Sequence, residues 1–232
     1  MKTSSFISLG LALACGSLPL AAADLVPVPE LGLRVERGFT ITEFADNNLA
    51  PDTWCMTLDS HGRVVVANGK TIRVLIDEDG DGLADDFITF ANVERGVMGL
   101  CFDGNSLYAA ADGWLMRYDD ANGDSIADGP PEKLIPLGFG EHGGHAMRKG
   151  PDGWWYLIGG NDTAFTAEKH ATLGSSPIRQ PEAGALLRLT PDARQSEVIA
   201  HGLRNPYDFD FNADGDIFTT AERRRSPRRC RK

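Results

Sequence analysis

The sequence predicts an all-β fold, a β-propeller of the six-bladed type with about three to four blades present. Three observations carry this: short strands recurring at blade spacing, Asn-Gly and Asp-Gly turns between them, and no long window with helical periodicity. The first repeat opens with Met56-Thr57-Leu58-Asp59-Ser60-His61-Gly62-Arg63-Val64-Val65-Val66-Ala67, turns at Asn68-Gly69 and continues to Ile76. The same plan returns 44 residues later, where Cys101-Phe102-Asp103-Gly104-Asn105-Ser106-Leu107-Tyr108 leads to the turn Asp112-Gly113 and the strand Trp114 to Tyr118. Both turns are expected to be two-residue type I′ hairpins, which need positive φ at both central residues. Further copies begin at Gly150-Pro151-Asp152-Gly153 and at Phe211-Asn212-Ala213-Asp214-Gly215. Closed propellers have typically 4 to 8 blades, so the ring is expected to be incomplete and to leave strand edges unpaired.

The blades are bracketed by segments of different character. Residues 1–23 run from Lys2 through an apolar stretch to Ala21-Ala22-Ala23, the pattern of an export signal, and predict a periplasmic or secreted protein. Cys15, in Ala12-Leu13-Ala14-Cys15-Gly16, is a candidate lipid acceptor. Residues 24–37 read as a linker, 38–218 as the partial propeller and 219–232 as a basic tail outside the fold. No later apolar run reaches the roughly 20 residues of a membrane span, so no transmembrane segment is expected. The net charge of −10 combines a tail carrying seven Lys or Arg against one Glu with −16 on the other 218 residues. An acidic body argues against nucleic acid as partner, since phosphate binding needs clustered cations on a folded face. Cys55 and Cys101 occupy equivalent strands, where a disulfide and two small buried residues are both open readings.

Two groups of residues are candidates for chemistry. Asp77, Asp79, Asp81 and Asp85 stand at positions 1, 3, 5 and 9 of one loop, and Asp120, Asn122, Asp124 and Asp128 repeat the spacing in the next blade. Hard cations such as Ca²⁺ take oxygen ligands from loops of this kind, although Ile88 and Pro131 stand where an EF-hand has its bidentate Glu. The other reading is two solvated turns whose Asp, Asn and Gly serve local backbone geometry. The second group is His142-Gly143-Gly144-His145, with Gly160-Asn161-Asp162 and Gly202-Leu203-Arg204-Asn205-Pro206 following. His142 at the entry to an inner strand is expected to face the central funnel, with the glycines leaving room for a flat ligand.

The order of His142, Gly150-Pro151-Asp152-Gly153, Gly160-Asn161 and Gly202-Leu203-Arg204-Asn205-Pro206 resembles the soluble quinoprotein glucose/sorbosone dehydrogenases. More closely still, residues 36–218 resemble the N-terminal propeller of a membrane-bound dehydrogenase family often fused to a c-type haem domain. The resemblance implies a six-bladed propeller using pyrroloquinoline quinone (PQQ) and Ca²⁺ on a small sugar or alcohol, with a c-type cytochrome as electron acceptor. It implies His142 as the general base, Asn161 or Asp162 as its orienting partner, and Arg204 with Asn205 as the quinone clamp. The family has Asp directly after the Gly that Gly160 matches, whereas this chain has Asn161 there and Asp162 next. Its further blades and cofactor contacts have no counterpart after Phe218, so weak quinone binding or none is expected of the chain as it stands. The alternative function is a non-catalytic propeller, stiffened by calcium, that binds a protein or stacks a glycan on Trp154 or Trp155.

Overall fold

Wherever the repeat supplies a Gly beside Asp or Asn, the chain reverses between antiparallel strands in the computed structural model, which describes residues 24–220. The export-signal stretch, Cys15 and tail residues 221–232 lie outside the described residues. Two compact units divide the chain, one up to Glu43 and one from Phe44. In the first, β1 (Leu25–Val28) and β2 (Leu33–Glu36) pair antiparallel about the 3-10 turn Pro29–Leu31, which Gly32 ends in the left-handed region at φ 64°. The stretch expected as a linker is therefore a ribbon with its own hydrogen bonds.

The second unit holds three four-stranded antiparallel blades. Blade 1 is β3 (Cys55–Leu58), β4 (Val64–Ala67), β5 (Thr71–Ile76) and β6 (Asp86–Asn92). Blade 2 is β7 (Val97–Asp103), β8 (Ser106–Ala111), β9 (Trp114–Asp119) and β10 (Glu132–Pro136). Blade 3 is β11 (Gly144–Lys149), β12 (Trp155–Gly159), β13 (Gly184–Leu189) and β14 (Ser196–Leu203). A hairpin of β15 (Phe209–Phe211) and β16 (Ile217–Thr219) follows in the position of a fourth blade's opening. A single helical turn, α1 (Ala167–His170), lies between β12 and β13. The architecture is that of a β-propeller, as the repeat predicts.

Period-2 side-chain alternation explains the packing, because a middle strand of a blade must bury both faces. Along β8, Leu107 and Ala109 join the cluster containing Val65, Ile72 and Phe90 of blade 1, whereas Tyr108 and Ala110 join the one containing Trp155 and Leu187 of blade 3. Along β12, Trp155 and Leu157 face blade 2, and Tyr156 and Ile158 pack with Phe209 of the last hairpin. Trp155 is fully buried, its ring 4.5 Å from that of Tyr108, and its Nε1 donates to the Pro191 carbonyl at 3.1 Å. Losing such a ring costs about 3–5 kcal/mol.

Asp112 and Gly113 adopt φ 53° and 84°, as a type I′ turn needs. At Asn68-Gly69 the expectation fails, for neither residue has positive φ. The Asn68 side chain accepts from the Lys70 and Thr71 N–H groups instead, and its backbone N–H donates to the Thr71 carbonyl, so the turn centres on Gly69-Lys70. Cys55 and Cys101 stand on neighbouring inner strands as free thiols, and burial pushes the Cys55 thiol up to about 12.

Candidate functional site

The first strands of the three blades wall a cavity of about 560 Å³, lined by Cys55–Leu58, Met98–Cys101 and Ala146–Arg148 together with Trp54, Tyr207 and Asp208. Arg148 crosses from β11 to hold Asp208 at 2.8 Å and also donates to the Phe209 carbonyl, fixing the segment before β15 against the wall. Of the residues nominated from the sequence, none lines this cavity; Tyr207 and Asp208, just past Asn205, do.

The nominated catalytic and quinone-clamp residues, His142, Asn161, Asp162, Arg204 and Asn205, gather instead at one end of blade 3, where β11 and β13 start and β12 and β14 finish. Three successive amides stitch the loops there: Gly160 N–H donates to the Gly143 carbonyl, Asn161 N–H to that of Arg204 and Asp162 N–H to that of His142, each at 2.9 Å. His142 and Arg204 are thereby drawn to the same turn. A Cβ on Gly160 would lie 2.6 Å from both the His142 and Arg204 carbonyl oxygens, so only glycine lets the three segments meet. The other glycines act in the same way. A Cβ on Gly138 would fall 1.8 Å from the Asp162 carbonyl oxygen, and one on Gly144 would fall 2.6 Å from Leu137. Gly143 and Gly144 therefore serve close packing and do not leave the open ligand space expected of them.

His142 Nδ1 lies 3.1 Å from Asn161 Oδ1, and Asn161 Nδ2 donates to Asp162 Oδ1 at 3.0 Å. An amide oxygen only accepts, so neutral His142 carries its proton on Nδ1 and keeps the Nε2 lone pair for another group. The second Asp162 oxygen accepts from the His142 backbone N–H at 3.1 Å. Of the two residues named as partner of His142, Asn161 meets the ring, whereas Asp162 meets only the His142 backbone and the Asn161 amide.

Asn205 Oδ1 faces His145 Nε2 at 3.0 Å, and the His145 ring packs on Tyr207 at 4.7 Å between centroids. His145 is fully buried, which lowers its pKa; the Asn205 bond opposes the shift, His142 adds to it and the Glu141 backbone opposes it. Nothing in the run His142-Gly143-Gly144-His145 by itself assigns this histidine a role. Its place three residues after His142, inside β11 and not before it, is the signal that distinguishes the two. Arg204 is exposed, Asn205 is half-buried, and the Tyr207 ring two residues on is half-exposed at the cavity wall.

The acidic loops lie at the other end of the blades, after β5 and after β9. Each of those strands has six residues, about 20 Å at roughly 3.3 Å per residue. Carboxylates there do not fit a metal that would touch a group bound beside His142. Asp77, Asp79 and Asp85 bring ligand oxygens within 4.8 Å of one another, and among the described residues the second loop forms no such carboxylate triad. Both loops share one internal network. The first residue, Asp77 or Asp120, accepts from backbone N–H groups at loop positions 4 and 6, and the ninth, Asp85 or Asp128, accepts from position 2. Asp81 and Asp124 each accept from the N–H two residues on, as do Asp79 and Asn122.

Neither tryptophan of the glycan reading is an open platform. Trp155 is core, and Trp154 is half-buried with the Arg188 guanidinium 4.1 Å over its ring.

Solved structures with the same fold include the holo PQQ domain of pyranose dehydrogenase from Coprinopsis cinerea, at 15% identity and TM-score 0.55, covering 74% of this chain and 43% of that one. The PQQ-bound aldose sugar dehydrogenase of Streptomyces coelicolor matches at 18% identity and TM-score 0.50, with 72% and 55% covered. A Trichoderma reesei carbohydrate-active enzyme of family AA12 matches at 16% identity and TM-score 0.54, with 72% and 45% covered. The chain thus spans about half the length of the solved chains it resembles. No curated protein matches it. A protein-family model does match residues 31–229, and through it the chain belongs to the family described as a domain of unknown function, DUF7133.

Proposed function

We propose that this chain carries the proton-transfer end of an exported, quinone-dependent dehydrogenase of sugars or similar alcohols. The observation that supports this reading best is the chain of contacts from Asp162 through Asn161 to His142, formed beside Arg204 and Asn205. His142 Nε2 takes the proton of the substrate hydroxyl. As it does so, Asn161 holds the ring in register, and Asp162 in turn holds the Asn161 amide and the His142 backbone N–H. PQQ, when bound, supplies the acceptor for the hydride that leaves the carbon, so that the alcohol becomes a carbonyl compound. Arg204 stabilises negative charge there, Asn205 hydrogen-bonds the ligand edge, and Tyr207 offers a stacking surface. Re-oxidation falls to a c-type cytochrome, in keeping with the leader-like residues 1–23. Among the described residues no helix is long and apolar enough to cross a membrane.

Calcium in this proposal belongs to the loop of Asp77, Asp79, Asp81 and Asp85, and more weakly to that of Asp120, Asn122, Asp124 and Asp128, as a brace at the end of the blades away from the reaction.

Reconstitution with PQQ followed by dye-linked oxidation of a sugar panel tests the reading. Quinone-dependent turnover that His142→Ala abolishes supports it. Turnover unchanged in His142→Ala, or no quinone uptake by the full chain, contradicts it.

A further inference from the structure

His145 is fully buried at this end of blade 3, and nothing in the proposed proton transfer uses it. Its Nε2 lies 3.0 Å from Asn205 Oδ1, and its Nδ1 is buried with no side-chain partner, the Glu141 backbone being the other polar group that acts on the ring. Its backbone carbonyl is pinned as well, since a Cβ on Gly99 of β7 would lie 2.0 Å from that oxygen. The backbone is therefore held at His145, and the ring's side-chain hydrogen bond is to Asn205. Because Oδ1 accepts, the neutral ring carries its proton on Nε2, and the Asn205 amide is turned so that Nδ2 points away from His145. Among the described residues that Nδ2 donates to no protein group. On its other neighbour, the imidazole backs the Tyr207 ring, which lines the cavity and stays 51% exposed.

We infer that His145 is a positioning residue that locks the Asn205 amide with its NH₂ toward the ligand and braces Tyr207 as a stacking wall, so that the site selects a flat ligand with hydrogen-bond acceptors on its edge. This rests on the quinone-site reading for the identity of the ligand, but not for the orientation of the amide. Burial keeps the imidazole neutral by lowering its pKa, as a fixed tautomer requires. An imidazole free to exchange tautomers would let the amide flip and present a carbonyl instead, rejecting the same ligand by leaving acceptor against acceptor.

Two measurements test it. Long-range ¹H–¹⁵N NMR on the full chain without ligand should find His145 protonated on Nε2, with slow exchange that Asn205→Ala accelerates. Calorimetric titration with PQQ should then find His145→Phe, which keeps a ring against Tyr207, about tenfold weaker than the original chain, and His145→Gln closer to it. In a double-mutant cycle the His145→Phe and Asn205→Ala losses should be less than additive, which a general packing defect would not produce. A proton on Nδ1, or equal PQQ affinity for the original chain and His145→Phe, overturns the inference. If the original chain binds no PQQ, the quinone reading fails, and the NMR result alone decides whether His145 orients Asn205.

Discussion

The two ends of the blades are built on opposite plans. At the acidic end the loops after β5 and β9 are near copies, and their carboxylates spend their lone pairs on backbone N–H groups of their own loop. At the His142 end no loop copies another. Leu137 to Gly144, Gly160 to Ala183 and Leu203 to Asp208 meet only in blade 3, held by glycines that a Cβ would force apart. Self-sufficient turns brace a repeat, whereas side chains with lone pairs to spare, such as His142 Nε2, occur where the repeat is broken.

That contrast breaks most readily at His142. Its replacement by alanine should lower quinone-dependent turnover about 10²–10⁴-fold, the usual worth of a general base, while Asp81→Ala at the opposite end leaves turnover within about twofold. Steady-state kinetics on both variants decide it. Gly160→Ala comes next, with a cost of about 3 kcal/mol in urea unfolding and loss of quinone binding, because the new methyl must displace the His142 and Arg204 carbonyls. Within the acidic end the two copies should differ. Asp120 is buried and accepts from three N–H groups, so Asp120→Ala should cost about 2 kcal/mol, whereas Asp77, half-buried and accepting from two, should cost about 0.5 kcal/mol when replaced by alanine without Ca²⁺.

The smallest effect concerns pH. Burial lowers the pKa of both His145 and His170 below the ordinary histidine value near 6.5. His170 is held neutral by geometry as well, since its Nδ1 accepts from the Thr166 N–H and its Nε2 faces the Pro136 carbonyl. In the window below about 6.5 the unfolded chain binds more protons than the folded one, so stability falls as pH falls and is level above about 7. Thermal melts from pH 8 to 5 should show this decline, made shallower by His170→Gln.

Much of this was legible in the sequence, for reasons specific to each element. The blades followed from Asx-Gly turns and from strands such as Val64-Val65-Val66-Ala67, because a repeat writes the same constraint several times. Asn68-Gly69 misled because a side-chain acceptor can close a turn that looks like a type I′ hairpin. In the site, His142, Asn161 and Arg204 were found through motif spacing, but their convergence depends on Gly160, and a close approach between segments over 40 residues apart leaves no local pattern. His145 was overlooked because its partner, Asn205, stands 60 residues away and no periodicity links the two.

Amide hydrogen exchange with and without PQQ distinguishes ligand chemistry at the His142 end from bracing at the acidic end. Quinone-dependent protection should be confined to residues 138–144, 160–166 and 202–208. Protection at 77–85 or 120–128 instead, or none anywhere at saturating quinone, would contradict that division.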